Sequence, residues 1–233
     1  MNNNRLKSAK RDAMLDAAGV EFLKRGYLKT STKSIALAAQ ITEKTLFQYF
    51  SSKLDILQQL IIRQHSNLAE KLREQVQGVD DAYQQYLRFS ECYTQEIEEH
   101  WQFYSRPADI YRGLTRDTYS EESPALHNPV NEVLEGIIKR AIKNRALAEG
   151  FDPIVFVYTY LGSIDYFNRS HQYSPAAGSP AERQERMLNC AQQLWNAAER
   201  FNPQNQGASE AELMERLTHI ADEIQRLGNR SPR

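Results

Sequence analysis

Two cysteines, Cys92 and Cys190, are all that this chain of 233 residues has, and they stand far apart with no C-x-x-C between them. That excludes a disulfide framework and a cysteine-rich zinc site, and it suits a reducing, cytoplasmic compartment. Glycine and proline are scarce too, ten and eight. Their scarcity excludes a collagenous or disordered chain and leaves few points at which a helix must stop. The longest apolar run, Ile154 to Gly162, falls well short of the roughly 20 residues that span a bilayer. The opening Met-Asn-Asn-Asn-Arg-Leu-Lys lacks the apolar core of a signal peptide, so no membrane partner is expected. Also missing are H-E-x-x-H, G-x-S-x-G, G-x-G-x-x-G and a P-loop. The histidines, His65, His100, His127, His171 and His219, are scattered, none at a metal-ligand spacing from an acid. The expectation is a protein that is not an enzyme, with no catalytic residues, metal or cofactor.

What is present is unevenly distributed. The net charge of −1 conceals a segment, residues 1–53, with ten Lys/Arg against four acids, or +6; the remaining residues hold 19 bases and 26 acids, or −7. A small basic head on an acidic body is the charge layout that nucleic-acid contact at one end requires. A solvated basic helix would give the same count.

The pattern is helical nearly throughout. Met14, Leu15, Ala18 and Phe22 recur at helical spacing over Ser8 to Arg25, with Gly26 as the stop. Ser31-Thr32 caps a short helix through Ala39, Thr42 caps another over Glu43 to Phe50, and Ser51-Ser52 opens a long one from Lys53 to about Gln77. Three short helices with a tight turn between the second and third form the helix-turn-helix pattern. Helices are then expected over Asp80 to Glu99, over Trp101 to Leu114 with Pro107 as a kink, and over Pro129 to Ala148. Further helices are expected over Ile154 to Arg169 and Pro180 to Phe201, and, after a capping box at Ser209-x-x-Glu212, through a stripe at Leu213, Leu217, Ile220, Ile224 and Leu227. The fold class is all-α, with no strand and no repeat.

Met14-Leu15-Asp16-Ala17-Ala18-x-x-x-Phe22-x-x-x-Gly26-Tyr27, Ser31-Thr32-x-x-Ile35-Ala36-x-x-Ala39 and Ile41-Thr42-x-x-Thr45-Leu46-Phe47-x-Tyr49-Phe50-x-Ser52-Lys53 follow one another without a gap. Together they resemble the DNA-binding head of TetR-family transcriptional regulators. Three positions depart from that family's usual pattern: Gln40 stands where the turn has glycine, Lys44 where a small residue is common, and Phe47 where tyrosine is frequent. The resemblance implies a helix-turn-helix domain over 8–54 (motif about 31–50), a connecting helix over 55–77 and a ligand-binding and dimerisation domain over 78–202. An extra C-terminal helix over 209–228 follows.

The third helix would lie in the major groove of double-stranded operator DNA. Glu43, Lys44, Thr45 and Gln48 would face base edges there. Thr32, Thr42, Tyr49 and Lys53 would hold phosphates, Lys33 is a further DNA-contact candidate, and Phe47 would sit either at the DNA edge or in the core. Leu46 and Phe50, four apart, would pack inward. One recognition helix reads too few bases, so a homodimer on a palindrome is expected, with its interface on Ile154–Arg169 and Pro180–Phe201, where Gly162-Ser163 permits close approach. Candidate effector contacts are Trp101, Phe103, Tyr104, Arg106, Tyr111, His127, Tyr158, Asp165 and Tyr166, aromatic residues with polar groups among them. The same stripe would equally serve as plain core. The implied function is a repressor that a small-molecule effector releases; the alternative is a helical adaptor or activator whose basic head binds a partner without ligand control.

Overall fold

The computed structural model describes residues 2–113, 129–172 and 178–200. Among them lie eight helices and no strand, as the pattern predicts. They are α1 (Asn2–Arg25), α2 (Thr32–Ala38), α3 (Glu43–Leu46), α4 (Lys53–Val76), α5 (Ala82–Gly113), α6 (Pro129–Lys143), α7 (Pro153–Gln172) and α8 (Pro180–Arg200). None is long and apolar enough to cross a membrane. The helix expected over 209–228 lies outside the described residues.

Local chemistry sets most of the boundaries. Gly26 ends α1 at φ 77°, a conformation without penalty for glycine, and its N–H reaches Phe22 O at 2.8 Å. Ser31, Thr42 and Ser52 each turn a side-chain oxygen to an orphan N–H of the helix that follows, on Ser34, Thr45 and Asp55. At α4 the cap is reciprocal, because Asp55 Oδ2 accepts the Ser51 N–H at 2.7 Å.

Four boundaries differ from the sequence expectation. α1 runs back to Asn2 instead of Ser8. α3 proper ends at Leu46, after which Gln48 and Tyr49 bond the carbonyls three residues back, at 3.1 and 3.0 Å; the last turn is wound tighter than an α-helix. α5 is a single element whose break falls at His100 (φ −120°, ψ 23°), not at Pro107. α6 stops at Lys143, short of Ala148. Arg145 takes the left-handed conformation (φ 62°) there, and the N–H groups of Arg145 and Ala146 cap Ile142 O and Ala141 O at 3.0 and 2.9 Å.

Two apolar cores result. Met14, Leu15, Ala18, Ile35, Leu46 and Phe50 build the first with the start of α4, Ile56 to Ile61. The second begins further along α4, at Leu68 and Leu72, and is filled from α5, α6, α7 and α8. One helix therefore belongs to both cores, and a tilt of α4 is felt in each.

Candidate nucleic-acid interface

The α2–turn–α3 unit is fixed from below by Leu46, fully buried, and Phe50, 2% exposed. With those two pinned inward, the residues between and beside them face out. Thr42, Lys44 and Gln48 are exposed, as is Lys33 on α2, and Phe47 is half-exposed at 49%. Thr32, Glu43, Thr45, Tyr49 and Lys53 are partly buried.

Several of these side chains are already engaged within the protein. The Thr32 hydroxyl donates to the Glu43 carboxylate, which joins the start of α2 to the start of α3. Thr42 Oγ1 and Thr45 Oγ1 share a hydrogen bond of 2.8 Å. Lys53 Nζ donates to the carbonyls of Tyr27 and Thr30, each at 2.9 Å, and lies 4.4 Å from the centroid of the Tyr27 ring. Burial raises the pKa of the Tyr27 phenol, which stays neutral. Lys53 thus ties the α1–α2 turn to the head of α4. The turn before α3 closes with Gln40 at φ 57°, where Ile41 N bonds Ala36 O at 2.9 Å.

Two further links were not visible in the motif. Arg11 reaches Gln59 Oε1 at 2.5 Å and stands 5.4 Å from the Phe50 ring centroid. Arg63 binds Asp12 O at 2.9 Å and Asp16 Oδ1 at 2.6 Å. Both join α1 to α4 across some fifty residues of chain, a separation that helical periodicity does not address.

In the body, the side chains of Trp101, Phe103, Tyr104, Arg106, Tyr111 and His127 lie outside the described residues. Tyr158 and Tyr166 lie on the outer face of α7, 61% and 75% exposed, apart from the interior; Asp165 is partly buried. The interior aromatic cluster has other members. Tyr86 stacks on Trp195 with centroids 5.0 Å apart and meets Phe156 and Tyr160 edge-on at 5.7 and 5.6 Å. Spacing of four between Phe156, Tyr160 and Ile164 is the sequence signal that picks this face. Tyr86 OH donates to Ala191 O at 2.9 Å. Ser90 and Tyr160 are both wholly buried, and the Ser90 side chain lies beside the phenols of Tyr86 and Tyr160. Burial drives the pKa of both phenols upward.

Glu96, Glu99 and His100 bring metal-type ligand atoms within 4.8 Å of one another. Lys71 already pairs with Glu96, and Gln95 donates to Glu99 at 2.8 Å, so the protein itself satisfies these acids.

The site is a capped helix-turn-helix with an exposed polar face, set on a helical body. Residues 14–60 match the family described as bacterial regulatory proteins, tetR family. It is similar to the HTH-type transcriptional regulator YvkB of Bacillus subtilis strain 168, 36% identical over 85 residues, covering 36% of this chain and 43% of that one. It is also similar to the HTH-type transcriptional activator FasR of Mycolicibacterium smegmatis, 31% identical over 102 residues, covering 43% and 47%. The similarity thus spans less than half the length of either relative. Among solved structures, FadR of Bacillus subtilis in complex with stearoyl-CoA shares the fold with a TM-score of 0.63, at 18% identity, over 77% of this chain and 96% of that one.

Proposed function

We propose that the protein binds a palindromic operator as a homodimer and represses transcription until a small-molecule effector releases it. The observation that carries the DNA half is the outward set Thr42, Lys44, Phe47 and Gln48 around the buried pair Leu46 and Phe50. Lys44 donates to guanine O6 and N7, and Gln48 pairs with adenine N6 and N7. Thr42, at a helix start, and Tyr49 hold phosphates. Glu43 does its work through Thr32, aligning α2 with α3.

Dimerisation is supported by the outer stripe of α7, where Ile154, Val155, Tyr158 and Tyr166 stand exposed with Gly162 among them. Effector control is supported by the hydroxyls of Ser90 and Tyr160, wholly buried in an otherwise aromatic interior, where they offer polar anchors to a ligand. An effector seated there shifts the population of α4 orientations, since α4 lines both cores. The likeness to a structure holding stearoyl-CoA makes acyl-CoA thioesters the first compounds to try. An activator is the second reading, favoured by the similarity to FasR.

Fluorescence anisotropy tests the proposal, with DNA from upstream of the protein's own gene against scrambled DNA across a salt series. Two protomers per site, a steep salt slope and preference for the upstream DNA are expected. Equal binding to both DNAs, repeated after selection from a random library, would defeat it. Loss of the protein in a reporter strain separates repression (expression rises) from activation (it falls).

A further inference from the structure

The first turns of α1 carry charge that the protein does not use. Between positions 5 and 11 stand Arg5, Lys7, Lys10 and Arg11, with no acid until Asp12. Residues 5–10 are exposed, and among the described residues Arg5, Lys7 and Lys10 enter no ion pair. At 100° per residue, Lys7, Lys10 and Arg11 fall within one 100° sector of the helix. Like charges three and four apart destabilise a helix by a few tenths of a kcal/mol per pair, and among the described residues no acid pairs with Lys7 or Lys10 to offset this. Asp12, the nearest carboxylate, is taken by Arg63 at 3.7 Å and by the Ser8 hydroxyl at 3.5 Å.

The stripe also has a fixed place. Its last member, Arg11, is held against the head by Gln59 and by the ring of Phe50, the residue that closes the reading segment. Lys7 lies one turn before Arg11 on the same face, roughly 6 Å along the axis at 1.5 Å per residue. Arg11 thus joins the basic stripe of α1 to the head, through Gln59 and the Phe50 ring.

We infer that Lys7 and Lys10 form a second, sequence-independent DNA contact: the arm of α1 lies along the sugar-phosphate backbone flanking the bases that α3 reads. This rests on the DNA-binding reading above and extends it to residues outside the matched segment 14–60. A duplex backbone is the occupant that fits, because it presents a row of phosphates to a row of cations and adjoins the site already occupied by α3. The arm adds affinity and salt dependence to every sequence alike and contributes nothing to base choice.

The test compares the wild-type chain with the double variant K7Q/K10Q on two duplexes, one from upstream of the gene and one of random sequence, from low to high salt. A control, K139Q/K143Q, removes the same charge from the body. Far-UV circular dichroism and Tm check that both variants keep the fold. The expected result for the arm variant is a salt slope shallower by about 0.9 for each phosphate that the arm no longer neutralises, on both duplexes equally, with the preference between them unchanged. The control should keep the wild-type slope. An arm variant with the wild-type slope, or a control that falls as far, overturns the arm while leaving operator reading intact. A change confined to the upstream duplex overturns its independence of sequence. A wild-type chain that binds neither duplex overturns both the arm and the function on which it rests.

Discussion

Gln40 holds φ 57°, the left-handed region that costs a side-chain-bearing residue energy and glycine none. Its side chain is exposed, so its removal uncovers nothing. Gln40→Gly should therefore stabilise the head by about 0.5–1 kcal/mol, the left-handed cost of about 1–2 kcal/mol less the roughly 0.5–1 kcal/mol of chain entropy that glycine loses on folding, read as a higher Tm with DNA affinity unchanged; a lower Tm would mean that the side chain has a role the geometry does not reveal. Lys53 and Gln48 make a second contrast. Lys53 serves two carbonyls and an aromatic face, so Lys53→Met should lower stability by about 1.5–3 kcal/mol and weaken binding to every DNA. Gln48 is exposed and serves no fold contact described above, so Gln48→Ala should leave Tm alone and relax discrimination at one base pair by about 1–3 kcal/mol. Denaturation curves beside binding to single-substituted sites separate the two. Equal falls in stability in both variants would contradict this division of roles.

At the scale of elements, α4 is the shared part, and His65 sits on it between the two cores. Burial lowers its pKa from 6.5 to about 4. The folded chain thus keeps a neutral imidazole where the unfolded chain takes up a proton, so stability is complete above about pH 6.5 and declines as pH falls toward 4. Over the stretch from 6.5 to 5, before most carboxylates titrate, the decline is on the order of 2 kcal/mol at 1.36 kcal/mol per pKa unit. Urea unfolding at pH 7 and pH 5 should show that difference in the wild type and little of it in His65→Gln; an unchanged difference would place the sensitivity elsewhere. Helix starts were legible in the sequence because Ser31, Thr42 and Ser52 act on N–H groups two or three residues away. Gly26 was legible for the same reason. The break at His100 and the stop at Arg145 carry no glycine or proline, and Pro107, which does stand in α5, is not where that helix breaks. The inner face of α7 depends on what α5 and α8 bring against it, which is why Tyr160 lies inside while Tyr158 and Tyr166 lie out. The engagement of Lys53 with Tyr27 and Thr30 is likewise a product of chain packing, not of spacing.

For the whole molecule, the exposed stripe of α7 bears on the proposed assembly. Ile154, Val155, Tyr158 and Tyr166 are more than half exposed, and they succeed one another at helical spacing on one side of one helix. Scattered apolar residues need no explanation, but an aligned row does. In a two-fold pair each residue of the row is used twice, once from each copy, and Gly162, with nothing within 4 Å of an added Cβ, leaves room for the partner's backbone. Since both tyrosines lie outside the core, replacing them should spare the fold. The variant Y158D/Y166D is expected to keep the helical content of the wild type and to sediment as a monomer. Removal of a tyrosine anchor at about 2 kcal/mol weakens association roughly 30-fold, before the cost of burying two new charges. Operator binding should fall with it, because two heads joined in one particle bind the second half-site as an intramolecular event and two separate heads do not. A variant that stays dimeric would move the interface off α7. One that becomes monomeric yet binds the operator as tightly as before would mean that the heads do not act as a pair.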